Sequence, residues 1–275
     1  MKKVIIVPYR DRAPQKEIFV NHMKQIFSKE KDYEIVFVHQ KDKRNFNRGG
    51  MKNIGFIYVK RKYKNWKNIT LIFHDIDYLP HKKIFTYETT LGSVKHFYGF
   101  KFCFGGIWAI KGEDFEKTKG FPNLWAWGFE DNSIRNRWLK IGGKIDYSEF
   151  IFYTDKSVVK LDCSNSGHDS RIINQKNLVY AKKSLSGYDT IYDLEYEIEN
   201  IDKNIHMINV NKFFTEVPEE SQKFLKNVSQ KQIYDDKKNR LVKNKKNFWD
   251  TVLKKRVKKK ETKKSKKKIY YKFMK

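Results

Sequence analysis

The chain has 275 residues, of which 39% are hydrophobic, 16% aromatic and 33% charged, with a formal net charge of +27. That length suits one sizeable α/β domain with an appendage, and 21 Phe, 16 Tyr and 6 Trp exclude a chain disordered throughout. The basic balance points to an anionic partner, whether nucleic acid, an anionic membrane or a phosphorylated substrate. Residues 237–275 hold 19 Lys and Arg against Asp250 and Glu261, a net of +17, which leaves +10 for the first 236 residues. The charge therefore says more about this tail than about the body.

Val4-Ile5-Ile6-Val7 is a continuous β-branched run and reads as a buried parallel strand that Pro8 stops. A polar loop, Tyr9-Arg10-Asp11-Arg12, follows at its C-terminal end. Residues 15–29 carry Ile18, Phe19, His22, Met23 and Ile26 at helical spacing, and residues 33–38 read as a second strand. This strand-helix-strand order is a βαβ unit, which requires a right-handed crossover and a parallel sheet. Residues 47–60 form a second predicted helix. Residues 68–73 form a third strand that runs into His74-Asp75-Ile76-Asp77. A strand over 105–110, a short helix over 112–119, a loop over 120–127 and a helix over 130–141 ended by Gly142-Gly143 come next. Residues 144–162 read as one or two strands, and 213–228 as a helix. The predicted organisation is a catalytic domain over 1–200, a helical extension or linker over 201–236 and a flexible basic tail over 237–275.

Two constellations carry chemistry. Asp75 and Asp77 flank one apolar residue just past a buried strand, where open α/β sheets bind ligands. Residues two apart in an extended segment point the same way, so both carboxylates can face one ligand. Hard cations such as Mn²⁺ or Mg²⁺ take oxygen donors and bridge carboxylates to diphosphates. A bare Asp-x-Asp also occurs by chance in surface turns, and its placement after Ile69-Thr70-Leu71-Ile72-Phe73 raises its weight. The second constellation is Trp125-Ala126-Trp127-Gly128-Phe129-Glu130-Asp131, at a loop-to-helix junction. Indole faces stack on sugar rings and carboxylates accept sugar hydroxyls. Glu130 and Asp131 as plain helix-dipole partners are the simpler alternative, but that leaves the two Trp unexplained.

Read in order, the motifs resemble the β1,4-galactosyltransferases, glycosyltransferase family 7, including the xylosylprotein galactosyltransferase branch. Pro8-Tyr9-Arg10-Asp11-Arg12 is similar to the family's P-F-R-x-R segment. Phe46-Asn47-Arg48 with Asn53-Ile54-Gly55-Phe56 is similar to F-N-R-x(4)-N-x-G-F. Phe73 to Pro80, Phe104-Gly105-Gly106, Gly120-Phe121-Pro122-Asn123 and Trp125 to Asp131 continue the series. The resemblance implies a GT-A-type, Rossmann-like nucleotide-sugar-binding fold with a mostly parallel central sheet. It implies donor contacts from Pro8, Arg10, Arg12, Phe46, Arg48, Asp75, Asp77 and Trp127, and metal ligation by Asp77 and His168. It also implies Asp131 as catalytic base beside Glu130. Three departures stand out. Asn165 or Ser166 falls where the family has a further metal ligand, Asn132 replaces a third acid, and Cys103 stands where galactose-specific members carry Tyr. A smaller residue there leaves room for an N-acetyl group.

The resulting expectation is an inverting, Mn²⁺-dependent transfer of galactose or N-acetylgalactosamine from a UDP-sugar to a hydroxyl of a glycan or glycoconjugate, with Mg²⁺ as a second possible metal. Rival readings are a sugar-binding relative without catalysis, and a protein that binds nucleic acid or another anionic surface through residues 237–275. Neither a signal-peptide core nor an 18-residue apolar stretch is present. This predicts a protein of the cytoplasm, its own or a host's, rather than of the Golgi lumen. Cys103 and Cys163 are the two cysteines; a disulfide between them stays open, and no disulfide framework is implied.

Overall fold

The computed structural model describes residues 2–162, 177, 180–181 and 186–219. In chain order the elements are β1 (Lys3–Tyr9), α1 (Ala13–Ile26), β2 (Tyr33–Gln40), α2 (Arg48–Lys62), β3 (Thr70–His74), β4 (Tyr78–Pro80), β5 (Ser93–Gly99) and β6 (Ile107–Lys111). They continue as α3 (Gly112–Lys117), α4 (Glu130–Lys140), β7 (Lys144–Asp146), β8 (Ile151–Phe152), β9 (Val158–Lys160), β10 (Tyr192–Asp202) and β11 (Ile205–Phe214).

Nine strands make one sheet in the order β10-β11-β2-β1-β3-β6-β5-β7, with β8 also pairing β5. Strands β11, β2, β1 and β3 are parallel. Strand β6 runs against both β3 and β5, and β10 runs against β11. The mostly parallel α/β sheet expected from the βαβ reading is therefore present, with a reversed strand at its middle. Both faces of β1, β2 and β3 are covered, which is why these strands are apolar without alternation. Val4, Ile6, Val36, Val38, Leu71 and Phe73 face a core under α2. Ile5, Val7, Ile35, Phe37 and Ile72 face a second core with Phe19 and Met23 of α1. Helix α2 lies hard against β1 at Gly55, where a Cβ would come 2.5 Å from the Ile6 side chain.

The structure corrects several sequence expectations. Pro8 does not stop β1; it pairs with Val38 of β2, while β3 has left β1 beyond Ile6. Pro8 therefore sits where β1 has lost a neighbour on one side, and its missing N–H costs little. Residues 81–101, to which the sequence assigned no element, contain β5 between β6 and β7. Residues 144–162 hold three short strands. The boundary expected at residue 200 cuts through the β10–β11 hairpin. Residues 205–214, read as extension or linker with a helix from 213, pair with β2 from Ile205↔Ile35 to Val210↔Gln40. The sheet thus gains a parallel strand from the segment that the sequence set apart. The basic stretch 237–275 lies outside the described residues.

Candidate active site

The two-residue period of β3 sorts its C-terminal side chains. Leu71 and Phe73 face α2 and Ile72 faces α1. The alternation carries His74 to the α1 side, with its ring 5.0 Å from that of Phe19. Asp75 falls on the α2 side, where Arg48, the first residue of α2, meets it. Arg48 Nη2 donates to both Asp75 oxygens, one at 2.7 Å. Its Nη1 donates to Glu130 Oε1 at 2.6 Å and to Asp131 Oδ2 at 2.7 Å. Lys52, one turn further along α2, donates to Asp131 Oδ1 at 3.1 Å and lies 3.7 Å from Asp75 Oδ1. The Gly106 N–H donates to Asp75 Oδ2 at 3.3 Å.

Three asparagines fix the α4 acids opposite Arg48. Asn47 caps α2 by accepting the Gly50 N–H at 2.7 Å and donates to the Asn123 carbonyl at 3.1 Å. Asn53 donates to the Phe121 carbonyl at 2.8 Å and accepts the Phe121 N–H at 2.9 Å. It also donates to Asn123 Oδ1 at 2.9 Å. The loop before α4 is thus tied to the first two turns of α2. A Cβ at Gly49 would come 2.5 Å from the Pro122 carbonyl oxygen, so this approach requires glycine. The loop itself is strained: Ala126 and Phe129 adopt φ of 60° and 74°. Non-glycine residues hold that region at a cost, commonly where function needs a fixed geometry.

The two Trp of this loop separate, contrary to the sequence reading that gave both to sugar stacking. Trp125 is 2% exposed, donates Nε1–H to the Val217 carbonyl at 2.7 Å and stacks on Phe213. Trp127 is 42% exposed and free to meet a ligand. Arg10 donates to the Arg44 carbonyl and lies 3.5 Å from Asp11, so its guanidinium is turned into the neighbouring loop. Pro8 lies near the end of β1, Phe46 packs at the core margin before α2, and Arg12 precedes α1. All lie at the carboxyl edge of the parallel strands. Cys103 is buried beside Asp131: a Cβ at Gly105 would lie 3.2 Å from Asp131 Oδ2 and 3.7 Å from Cys103 Sγ. Burial, with the Asp131 charge, pushes the Cys103 thiol up to about 12. His168 and Cys163 lie outside the described residues.

The charge balance is acidic. Arg48 and Lys52 face three carboxylates, Asp75, Glu130 and Asp131, and Asp77 stands beside Asp75 within the field of Arg48 and Arg12. Burial raises Asp75, but Arg48 and Lys52 outweigh it and hold the carboxyl at about 2. Burial and then the Asp75 charge push Asp77 up to about 6. Burial and the Asp131 charge likewise raise Glu130. A part-buried carboxyl raised by burial and by a neighbouring acid suits a divalent cation, so Asp77 fits the implied metal. Among the described residues no cluster of three His, Cys, Asp or Glu side chains is grouped to hold one.

Sequence reasoning missed Lys52 and the Gly106 N–H. The signal for Lys52 was its position four residues after Arg48, on the same face of a helix.

The fold, with this acid-rich carboxyl edge, is an α/β fold of GT-A type. Residues 1–90 match the N-terminal region of glycosyl transferase group 7, and residues 87–157 match the N-terminal domain of galactosyltransferase. The chain belongs to glycosyltransferase family 7. It is 31% identical to human beta-1,4-galactosyltransferase 4 over 144 residues, 48% of this chain and 41% of that protein. It is 25% identical to mouse beta-1,4-galactosyltransferase 5 over 206 residues, 71% of this chain and 51% of the relative. The chain thus spans about two-fifths to one-half of these relatives' length. The fold is shared with the catalytic domain of Drosophila β1,4-galactosyltransferase 7 bound to xylobiose. That match has a TM-score of 0.64 and 23% identity, over 81% of this chain and 98% of that one. A mutant of the same fly enzyme in complex with manganese, UDP-Gal and xylobiose matches equally, at 22% identity. These relatives overturn the cytoplasmic expectation, because β1,4-galactosyltransferases are Golgi enzymes. Where the sequence begins carries no weight in a chain that spans only part of its relatives. Among the described residues no helix is long and apolar enough to cross a membrane.

Proposed function

We propose that this protein transfers a hexose, galactose or N-acetylgalactosamine, from a UDP-sugar to a sugar hydroxyl of a glycan, with inversion and with Mn²⁺ as cofactor. The observation that carries the reading is the convergence of Asp75, Glu130 and Asp131 on Arg48, next to Asp77, whose carboxyl burial and the Asp75 charge raise. Asp77 would hold the metal, with His168 as a candidate partner, and the bound metal would neutralise charge growing on the departing diphosphate. The chain's own residues do the rest. Pro8, Arg10, Arg12, Phe46 and Arg48 border the donor position, and Trp127 covers donor and acceptor. Asp131 accepts the proton of the acceptor hydroxyl as that oxygen attacks the anomeric carbon. The bond from that carbon to the diphosphate breaks on the opposite face. Cys103, small and beside Asp131, supports space for an N-acetyl substituent on the donor.

The test is a screen of UDP-sugars with Mn²⁺ against simple xylosides, glucosides and N-acetylglucosaminides, read as UDP release and product formation. Transfer that EDTA abolishes and Mn²⁺ restores is the expected result. Absence of turnover with every UDP-sugar would favour a sugar-binding relative without catalysis. Chelator-insensitive transfer would remove the metal role from Asp77 and His168.

A further inference from the structure

Lys52 is 1% exposed. A buried ammonium is costly unless compensated, and its compensation here is the acid pair Asp131 and Asp75, at 3.1 and 3.7 Å. Its Nζ also lies 4.8 Å from the centre of the Phe121 ring. Too buried to meet a substrate, Lys52 can act only through these acids.

Asp131 has one cation on each oxygen: Arg48 on Oδ2 and Lys52 on Oδ1. The two cations differ in what else they serve. Arg48 is shared among three carboxylates and its side chain is 15% exposed, within reach of an anionic donor. A diphosphate arriving at this edge competes for Arg48 with Asp75, Glu130 and Asp131. Lys52 has no such competitor. The backbone of Asp131 is fixed independently, its carbonyl accepting the Phe104 N–H at 3.0 Å, so what Lys52 controls is the side-chain carboxylate alone.

We propose that Lys52 is a positioning residue: its ammonium keeps the Asp131 carboxylate aimed at the acceptor hydroxyl while Arg48 is drawn to the donor. This rests on the reading of Asp131 as general base. A purely structural Lys52, neutralising acids for the fold, would affect stability without acting through Asp131.

The full chain is assayed with UDP-galactose, xylobiose and Mn²⁺, or with the pair the screen selects. Lys52→Met, Lys52→Arg, Asp131→Asn and the Lys52→Met/Asp131→Asn double variant are compared, with melting temperature measured for each. Lys52→Met is expected to lower kcat on the order of tenfold with the UDP-sugar KM within about twofold, and Lys52→Arg to recover most of the rate. In the Asp131→Asn background the Lys52 change should cost no further rate beyond about twofold. Wild-type kcat in Lys52→Met, or a loss that adds in full to that of Asp131→Asn, overturns the proposal. If Lys52→Met does not fold, Lys52→Gln takes its place, neutral and of similar length, under the same criteria. If Asp131→Asn itself keeps the wild-type rate, the general-base reading falls and takes this proposal with it. A slow Asp131→Asn beside a fast Lys52→Met removes the Lys52 proposal alone.

Discussion

The two ends of α2, about 20 Å apart, each meet buried carboxylates, and they are built to opposite balances. At its C-terminal end a single acid, Glu34, accepts from Tyr58 at 2.6 Å, Lys62 at 2.9 Å and the Tyr63 hydroxyl. Donors exceed acids, and the Glu34 carboxylate is met within the chain. At its N-terminal end three carboxylates compete for Arg48 and Lys52. Among the described residues these acids outnumber the two cations that pair with them. One helix thus ends in a stabilising lock and begins in a site. The difference lies in the ratio of partners, since both clusters are buried.

Substitutions can break this contrast. The largest expected effect is at the site: Asp131→Asn should lower kcat by about 10²–10⁴-fold, the usual contribution of a general base. Its UDP affinity by calorimetry should stay near wild type while its melting temperature falls, because the buried Lys52 loses part of its compensation; an unchanged rate would end the base assignment. Asp77→Asn should leave the fold intact and abolish the response of the rate to added Mn²⁺, and a normal Mn²⁺ titration would argue against ligation by Asp77.

At the lock the expectation is reversed. Glu34→Gln should cost about 1–3 kcal/mol of stability at neutral pH in urea unfolding, with the kcat of the folded fraction unchanged. Burial raises the Glu34 carboxyl, but the hydroxyls of Tyr58 and Tyr63 and the Lys62 ammonium more than offset it, leaving it below its ordinary value. Its contribution is therefore whole above the unfolded-state pKa of about 4.3, and is lost as pH falls through the lower folded value. The stability gap between wild type and Glu34→Gln should narrow only in that acid range. A gap equally wide at pH 3 would show that the hydrogen-bonded carboxylate is not its source. The smallest expected effect is on donor choice: Cys103→Tyr should favour UDP-galactose over UDP-N-acetylgalactosamine by a fewfold to about a hundredfold, the range for a steric change in a pocket. Equal ratios in both proteins would clear Cys103 of a selective role.

Much of the site was legible because its signals are local. Asp75 and Asp77 stand directly after a buried run, and Glu130 and Asp131 open a helix after a glycine-bearing loop. Ordered motifs joined those segments before any contact was known. Lys52 and the Gly106 N–H were not legible, since they enter the site only through the packing of α2 and β6 against β3. Nor could the sequence divide Trp125 from Trp127. The two are chemically identical, and what separates them is Phe213, brought to Trp125 by a distant strand. The alternation of Leu194, Tyr196 and Ile198 with Glu195, Glu197 and Glu199 is a strand signal. Its partner is not written there: β11 joins β2 across some 165 residues of chain, and a half-exposed edge strand carries no sign of which sheet it will extend.

By itself, then, the sequence determined the βαβ start, the apolar strands that force two covered faces, and the identity of the acids at the carboxyl edge, because periodicity and composition act within one element. The tertiary structure alone decided the reversed β6, the addition of β10 and β11, and the distribution of Arg48 and Lys52 among the acids. Those depend on which surfaces and charges meet across the fold, and pairing of that kind is set by burial and geometry rather than by neighbours along the chain.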